Sequence, residues 1–163
     1  MNMNQDSAKL TLYVPEYRDL WFRQRMLADE ETMSYNHAWG GTVPFPEEDW
    51  QDWYDFWVVN PEDGRIYRFL KDASGEFVGE IAYHPDPELQ ACIADVIIYA
   101  PFRGRGYGSR ALDLLCALAA ENGLTCLYDD IAIDNPAADM FLRHGFREES
   151  RTEEKIILRI DLH

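Results

Sequence analysis

The sequence predicts a single α/β (α+β) domain built around a mostly antiparallel sheet. Three observations lead there. Short runs with strand character recur along the chain, and two of them are joined by a Gly-bearing turn. Segments with apolar residues at helical spacing fall between them, most clearly at residues 110–122. The chain has 163 residues, 47% of them hydrophobic and 13% aromatic, which suits one domain with a filled core.

Taken in order, residues 9–14 (KLTLYV) alternate and stop at Pro15, as a first strand would. Residues 16–28 carry Tyr17, Leu20, Trp21, Met26 and Leu27 close to helical spacing. Residues 29–46, with Gly40, Gly41, Pro44 and Pro46, read as irregular. Residues 46–58 open with Pro46 and three acids, the chemistry of a helix start, and place Trp50, Trp53, Tyr54 and Trp57 on one face. Residues 66–71 and 76–84 flank DASG as a hairpin, and HPDPEL (84–89) reads as a loop. Residues 91–100 are a long, mostly apolar strand. RGRGYGS (103–109) is a turn. The helix at 110–122 buries the stripe Ala111, Leu112, Leu115, Leu118 and Ala119, and Asn122 and Gly123 end it. A strand at 124–133, a short helix at 136–144 stopped by Gly145, and a hairpin of 146–150 with 154–162 complete the chain. No repeat or linker interrupts this order, so residues 1–163 form one domain.

Net charge is −15. Binding to a phosphate backbone needs a dense cationic face, so nucleic acid is excluded as the main partner and anionic membranes are disfavoured. No apolar run reaches the length of a membrane span, and residues 1–12 lack the basic and apolar regions of a signal peptide. Cys92, Cys116 and Cys126 lie in apolar segments without ligand spacing. They read as reduced core residues of a cytoplasmic protein, and no metal is expected. The charge is unevenly placed. Between Arg25 and Arg65 there is no Lys or Arg, while that interval holds acids throughout and four of the five tryptophans.

The stretch PFRGRGYGSR (101–110) carries the most information. A Walker loop needs Gly-Lys-Ser/Thr, and no Lys precedes Ser109. A Rossmann fingerprint needs Gly where Ser109 stands. An RGG arm belongs in a basic tail, not between a strand and a helix. What remains is a strand, a glycine-rich turn and a helix N-terminus, whose amides and dipole favour an anion. A plain glycine-assisted reversal is the alternative.

These residues carry a resemblance. PFRGRGYG is similar to the acetyl-CoA-binding signature of the GNAT acetyltransferase superfamily, in which Arg or Gln is followed by x-x-Gly-x-Gly/Ala. Arg103, Gly106 and Gly108 fill those places, and Pro101 precedes them as is usual. DNPAADMFLRHGF (134–146) resembles a later block of the family, in which Asn precedes a short helix ending in Gly-Phe. The resemblance implies a sheet of about seven strands, about four flanking helices, and a splayed central strand pair.

It also implies roles. Amides from Gly104 through Arg105, Gly106, Tyr107 and Gly108 to Ser109 would hold the pyrophosphate of acetyl-CoA, with Arg103 and Arg105 adding cationic contacts. The pantetheine arm would lie where the strand around Ile97 to Tyr99 parts from residues 124–133. The N–H of Ile98 or Tyr99 would polarise the thioester carbonyl. Asn135 and Phe141 would also flank the cofactor. Two departures are visible. Phe141 stands where the family places a Tyr that donates a proton, and Asp134 falls on the family's Asn position, one residue before Asn135.

For the base that takes the acceptor's proton, Asp95 is the first candidate because it interrupts an apolar strand. Glu80 is the second, although alternation turns it towards solvent. Asp129 and Asp130 follow, and His84 reads as a solvated loop residue. Trp50, Trp53 and Trp57 read as core at helical spacing, while Tyr35 and Trp39 are better pocket walls. The leading expectation is direct N-acetyl transfer from acetyl-CoA to a small, cationic amine or a protein N-terminus. An acyl-CoA sensor of the same fold and a protein-interaction domain are the rivals, and a homodimer is compatible with the chain.

Overall fold

The computed structural model describes residues 9–163, with the main chain alone at Ala38 and Trp39. Part of the leader expectation, residues 1–8, and the Trp39 side chain therefore lie outside the described residues. Seven strands form one sheet: β1 Thr11–Tyr13, β2 Ile66–Lys71, β3 Phe77–Asp86, β4 Ala91–Ile98, β5 Cys126–Ala132, β6 Arg147–Arg151 and β7 Lys155–Asp161. Their order across the sheet is β1-β2-β3-β4-β5-β7-β6. Every neighbouring pair is antiparallel except β4 and β5. The α-helices are α1 Leu20–Ala28, α2 Trp50–Tyr54, α3 Tyr107–Glu121 and α4 Ala137–His144. No helix among the described residues is long and apolar enough to cross a membrane.

The sheet divides the core in two. On one face, α3 and α4 bury Leu112, Leu115, Leu127, Phe141 and Phe146. On the other, α1 and α2 bury Leu20, Met26, Trp50, Tyr67 and Phe69. The tryptophans of residues 50–57 belong to this second cluster, as their helical spacing predicted. With both faces covered, alternation along a central strand no longer separates buried from solvated positions.

Three local expectations are corrected. The interval 29–46 is not wholly irregular, because Thr32–Trp39 winds as a 3-10 helix. The helix expected over 46–58 is three tighter or wider turns in succession: a 3-10 turn at Glu47–Asp49, then α2, then a π turn at Asp55–Val59. Residues 84–86 are not loop but the end of β3, with Pro85 opposite Cys92. The ladder explains why Pro is tolerated there. Tyr99 N–H bonds Val78 O at 2.8 Å, so bonding pairs recur every second residue from that pair. Pro85–Cys92 falls between them, and β2 has already ended at Ile66 opposite Tyr83. No neighbour is left waiting for an N–H from residue 85.

The same ladder positions the site. β4 and β5 are bridged at Ile93↔Tyr128 and nowhere further along. Beyond that pair the strands part towards Ile98 and Ala132. β5 pairs instead with β7 along its whole length, from Cys126↔Asp161 to Ala132↔Lys155.

Candidate active site

The gap between β4 and β5 opens into a cavity of about 690 Å³. Its walls come from β4, the turn before α3, β5, the start of α4 and the 3-10 segment at Ser34–His37. That size suits a cofactor-scale ligand.

One end is the glycine turn. Gly104 and Gly106 adopt left-handed backbone, with φ of 80° and 83°. Gly106 caps α3 and its carbonyl accepts from Arg110 N–H at 3.2 Å. The helix begins at Tyr107, earlier than the apolar stripe suggested, so the amides of Tyr107, Gly108 and Ser109 form a first turn without intrahelical acceptors. Gly104, Gly106, Tyr107 and Gly108 line the cavity. A Cβ on Gly108 would stand 3.0 Å from Met140 Sδ, a second lining residue. Arg105 is exposed, with its guanidinium 5.4 Å from the centre of the Phe102 ring.

Arg103 is tied down at this turn by main-chain carbonyls. Its Nε donates to Ile98 O at 3.2 Å, Nη1 to Glu31 O at 3.2 Å and Nη2 to Thr32 O at 2.7 Å. Thr32, fully buried, accepts Ala100 N–H at Oγ1 and donates to Asp29. The signature arginine thus bolts the end of β4 to the segment that carries Tyr35 and His37 over the cavity. Its three bonds leave one N–H on each Nη, and Arg103 is exposed and lines the cavity.

Along the gap, Ile97 and Ile98 line the cavity. Tyr99 N–H is taken by Val78 O, so it is not available to a thioester. Ile98 pairs with Gly79 between bonding positions, and its main-chain N–H points away from β3 into the gap. Asn135 and Phe141 also line the cavity. The Asn135 carboxamide accepts Ala137 N–H at 2.9 Å and so caps α4, while Asp134 faces His37 at 3.3 Å.

On the face of α1 and α2 the structure joins two residues that the sequence kept apart. His84 on β3 and Asp95 on β4 are diagonal neighbours of the ladder, and His84 Nδ1 lies 3.5 Å from Asp95 Oδ2, a charge contact without hydrogen-bond geometry. Both line the cavity. The contact with Asp95 raises the His84 pKa above its ordinary value, against the opposing effect of burial. Tyr35 reaches the same cavity, and burial followed by the nearby carboxylates keeps its phenol protonated.

Glu80 is not turned to solvent. It is 5% exposed, receives the Tyr67 hydroxyl, and faces Arg23 Nε at 3.8 Å. Arg23 is itself sandwiched against Phe45 and Trp53, 4.4 and 4.2 Å from the ring centres. Glu80 is not among the residues lining the cavity. Burial pushes its pKa up to about 7, with Arg23 opposing. A carboxyl raised on folding adds stability below its ordinary 4.5 and loses it as pH climbs through about 7. Urea unfolding at pH 4.5 and pH 8 should therefore show the wild type losing up to about 3 kcal/mol relative to Glu80→Gln across that interval. Parallel pH dependence in the two proteins would show that Glu80 is not the titrating group.

The model of the acetyltransferase (GNAT) family matches residues 16–146. Three solved structures share the fold. Spermidine N-acetyltransferase from Vibrio cholerae, in complex with CoA and spermine, superposes with a TM-score of 0.78 at 19% identity, covering 93% of this chain and 95% of that one. An N-acetyltransferase from Staphylococcus aureus Mu50 gives 0.75 at 15% identity over 95% and 99% of the two chains. A GNAT-family acetyltransferase from Bacillus anthracis gives 0.74 at 17% over 94% and 95%. With the family model spanning most of the sequence, and the glycine turn and parted strands where that family's signature lies, the chain belongs to the GNAT acetyltransferase family and is an acyltransferase.

Proposed function

We propose that this protein transfers an acetyl group from acetyl-CoA directly to the primary amine of a small cationic acceptor. The observation that carries the reading is the β4–β5 gap, which meets the amides of residues 104–109 at one end and the His84–Asp95 pair on its far face. The diphosphate sits on the turn amides and the α3 dipole, and the acyl arm threads the gap. Ile98 N–H donates to the thioester oxygen as it gains charge. An ammonium cannot attack, so His84, held by Asp95, takes its proton first. Asp95, Asp130 and Asp134 make the cavity wall acidic, which favours a cationic acceptor. The spermine in the Vibrio cholerae structure makes polyamines the first acceptors to try.

Phe141 favours a second reading, an acyl-CoA sensor without turnover. A panel of polyamines, amino acids, aminoglycosides and peptides, followed by CoA release, separates the two. The transferase releases CoA with at least one cationic amine. Tight acetyl-CoA binding without release for any of them sinks the transferase and leaves the sensor.

The cofactor loop makes its own prediction. Gly106→Val forces a β-branched residue into left-handed backbone, and Gly108→Phe drives a ring against Met140 and into the cavity. Each should weaken acetyl-CoA binding by about tenfold or more while amine binding changes little. Equal weakening of both ligands would place the diphosphate elsewhere.

A further inference from the structure

We propose that Asp129 is the proton donor to the departing CoA thiolate, the task that Phe141 cannot perform. This rests on the transferase reading above. Asp129 is 9% exposed and lines the cavity. Along β5 it shares a face with Leu127 and Ile131, which pack in the same cluster as Phe141. Its carboxyl therefore stands on the α3–α4 side of the gap, where the thiol arm of CoA enters. Of the two phenols that line the cavity, Tyr35 packs with the α1–α2 cluster on the opposite side, and Tyr107 packs with the α3–α4 cluster at the glycine turn, where α3 begins. Phe141 shares the cavity wall with Asp129 and has no proton to donate.

A proton donor must hold its proton until the thiolate forms. Among the described residues Asp129 has no ion-pair partner, because Lys155 takes Asp130 instead at 3.0 Å. Its Oδ1 accepts only the adjacent Asp130 N–H, at 2.7 Å. The charged and titratable groups that face it are Asp95 from β4, Asp130 from its own strand and Tyr35 from the 3-10 segment. None supplies a positive charge. Burial first, then Asp95, raises its pKa well above the ordinary carboxylate range.

The step balances. The neutral amine, its ammonium proton already passed through His84 to solvent, attacks the carbonyl carbon; the C–N bond forms, and the nitrogen loses a second proton to His84, which releases it to solvent. The tetrahedral centre collapses and the C–S bond breaks. The sulfur takes its proton from the Asp129 carboxyl, which is reprotonated from solvent. The products are the amide and CoA thiol, with no oxidant or reductant.

The test is Asp129→Asn, which keeps size and shape but removes the acidic proton. Acetyl-CoA affinity, by calorimetry, should stay within about twofold, while kcat falls about 100-fold, the lower end of the usual range for lost acid catalysis. The basic limb of the kcat–pH profile should disappear with it. The double variant Asp129→Asn/Phe141→Tyr should recover much of the loss, because the phenol returns a proton donor to the same wall. An Asp129→Asn protein with wild-type kcat and pH profile overturns the assignment while leaving the transferase reading intact. A loss of kcat that Phe141→Tyr does not relieve, with acetyl-CoA binding lost in parallel, also overturns it, since the side chain would then be shaping the site. If the wild type acetylates no amine, both readings fall.

Discussion

Asp95→Asn is expected to lower kcat/KM for the acceptor by about 100-fold at neutral pH, at the lower end of the effect of losing a general base. Asp95 works through His84. The carboxylate 3.5 Å from the ring raises the imidazole pKa, so the ring is a stronger base towards the incoming ammonium. Without the carboxylate, His84 should titrate closer to an unperturbed imidazole, a downward shift that NMR of the ring protons reads directly. Part of the lost rate should return at higher pH, where more of the amine is neutral without help. Acetyl-CoA affinity should change less than about twofold, because Asp95 lies on the face of α1 and α2, away from the turn amides. A variant that keeps wild-type kcat/KM across pH would remove the pair from the mechanism.

Gly79→Ala is expected to destabilise the fold by about 2–4 kcal/mol, the upper range for a single overpacked site. Its strand geometry is ordinary, and the constraint is space. An added Cβ would lie 2.3 Å from Ile97 O and 3.1 Å from Ile98 Cα, both main chain of the neighbouring strand. Main-chain atoms cannot swing aside as a side-chain tip can, so the end of β4 must move. That end carries Ile98, whose N–H faces the gap. The variant should therefore show both a lower urea midpoint and a lower kcat in the fraction that remains folded. An unchanged midpoint would mean that β3 and β4 separate freely at this pair, contrary to the ladder.

The segment from β4 through the glycine turn to α3 was legible because each part has a local cause. An apolar run, left-handed positions that glycine supplies, and a stripe at helical spacing all lie next to one another. The His84–Asp95 pair was not legible. HPDP reads as a loop by composition, and only the early end of β2 lets Pro85 sit in a strand and carry His84 into register with β4. Glu80 misled for a related reason: helices cover both faces of the sheet, so a residue on the polar beat of the alternation is still enclosed. Arg103 was found as a motif residue, but its work was not. The carbonyls of Glu31 and Thr32 that it binds lie more than seventy positions away in sequence. Asp129 and Asp130 are adjacent in sequence and identical in type, and the register with β7 decides between them by giving Lys155 to Asp130 alone.

The central claim is that the β4–β5 gap and the turn at residues 104–109 form an acetyl-CoA site. Isothermal titration of the intact protein with acetyl-CoA tests it most directly. The account predicts saturable heat with one site per chain and a dissociation constant below the high micromolar range, weakened by Gly108→Phe. No binding heat up to that range, or binding that Gly106→Val and Gly108→Phe leave unchanged, would contradict it.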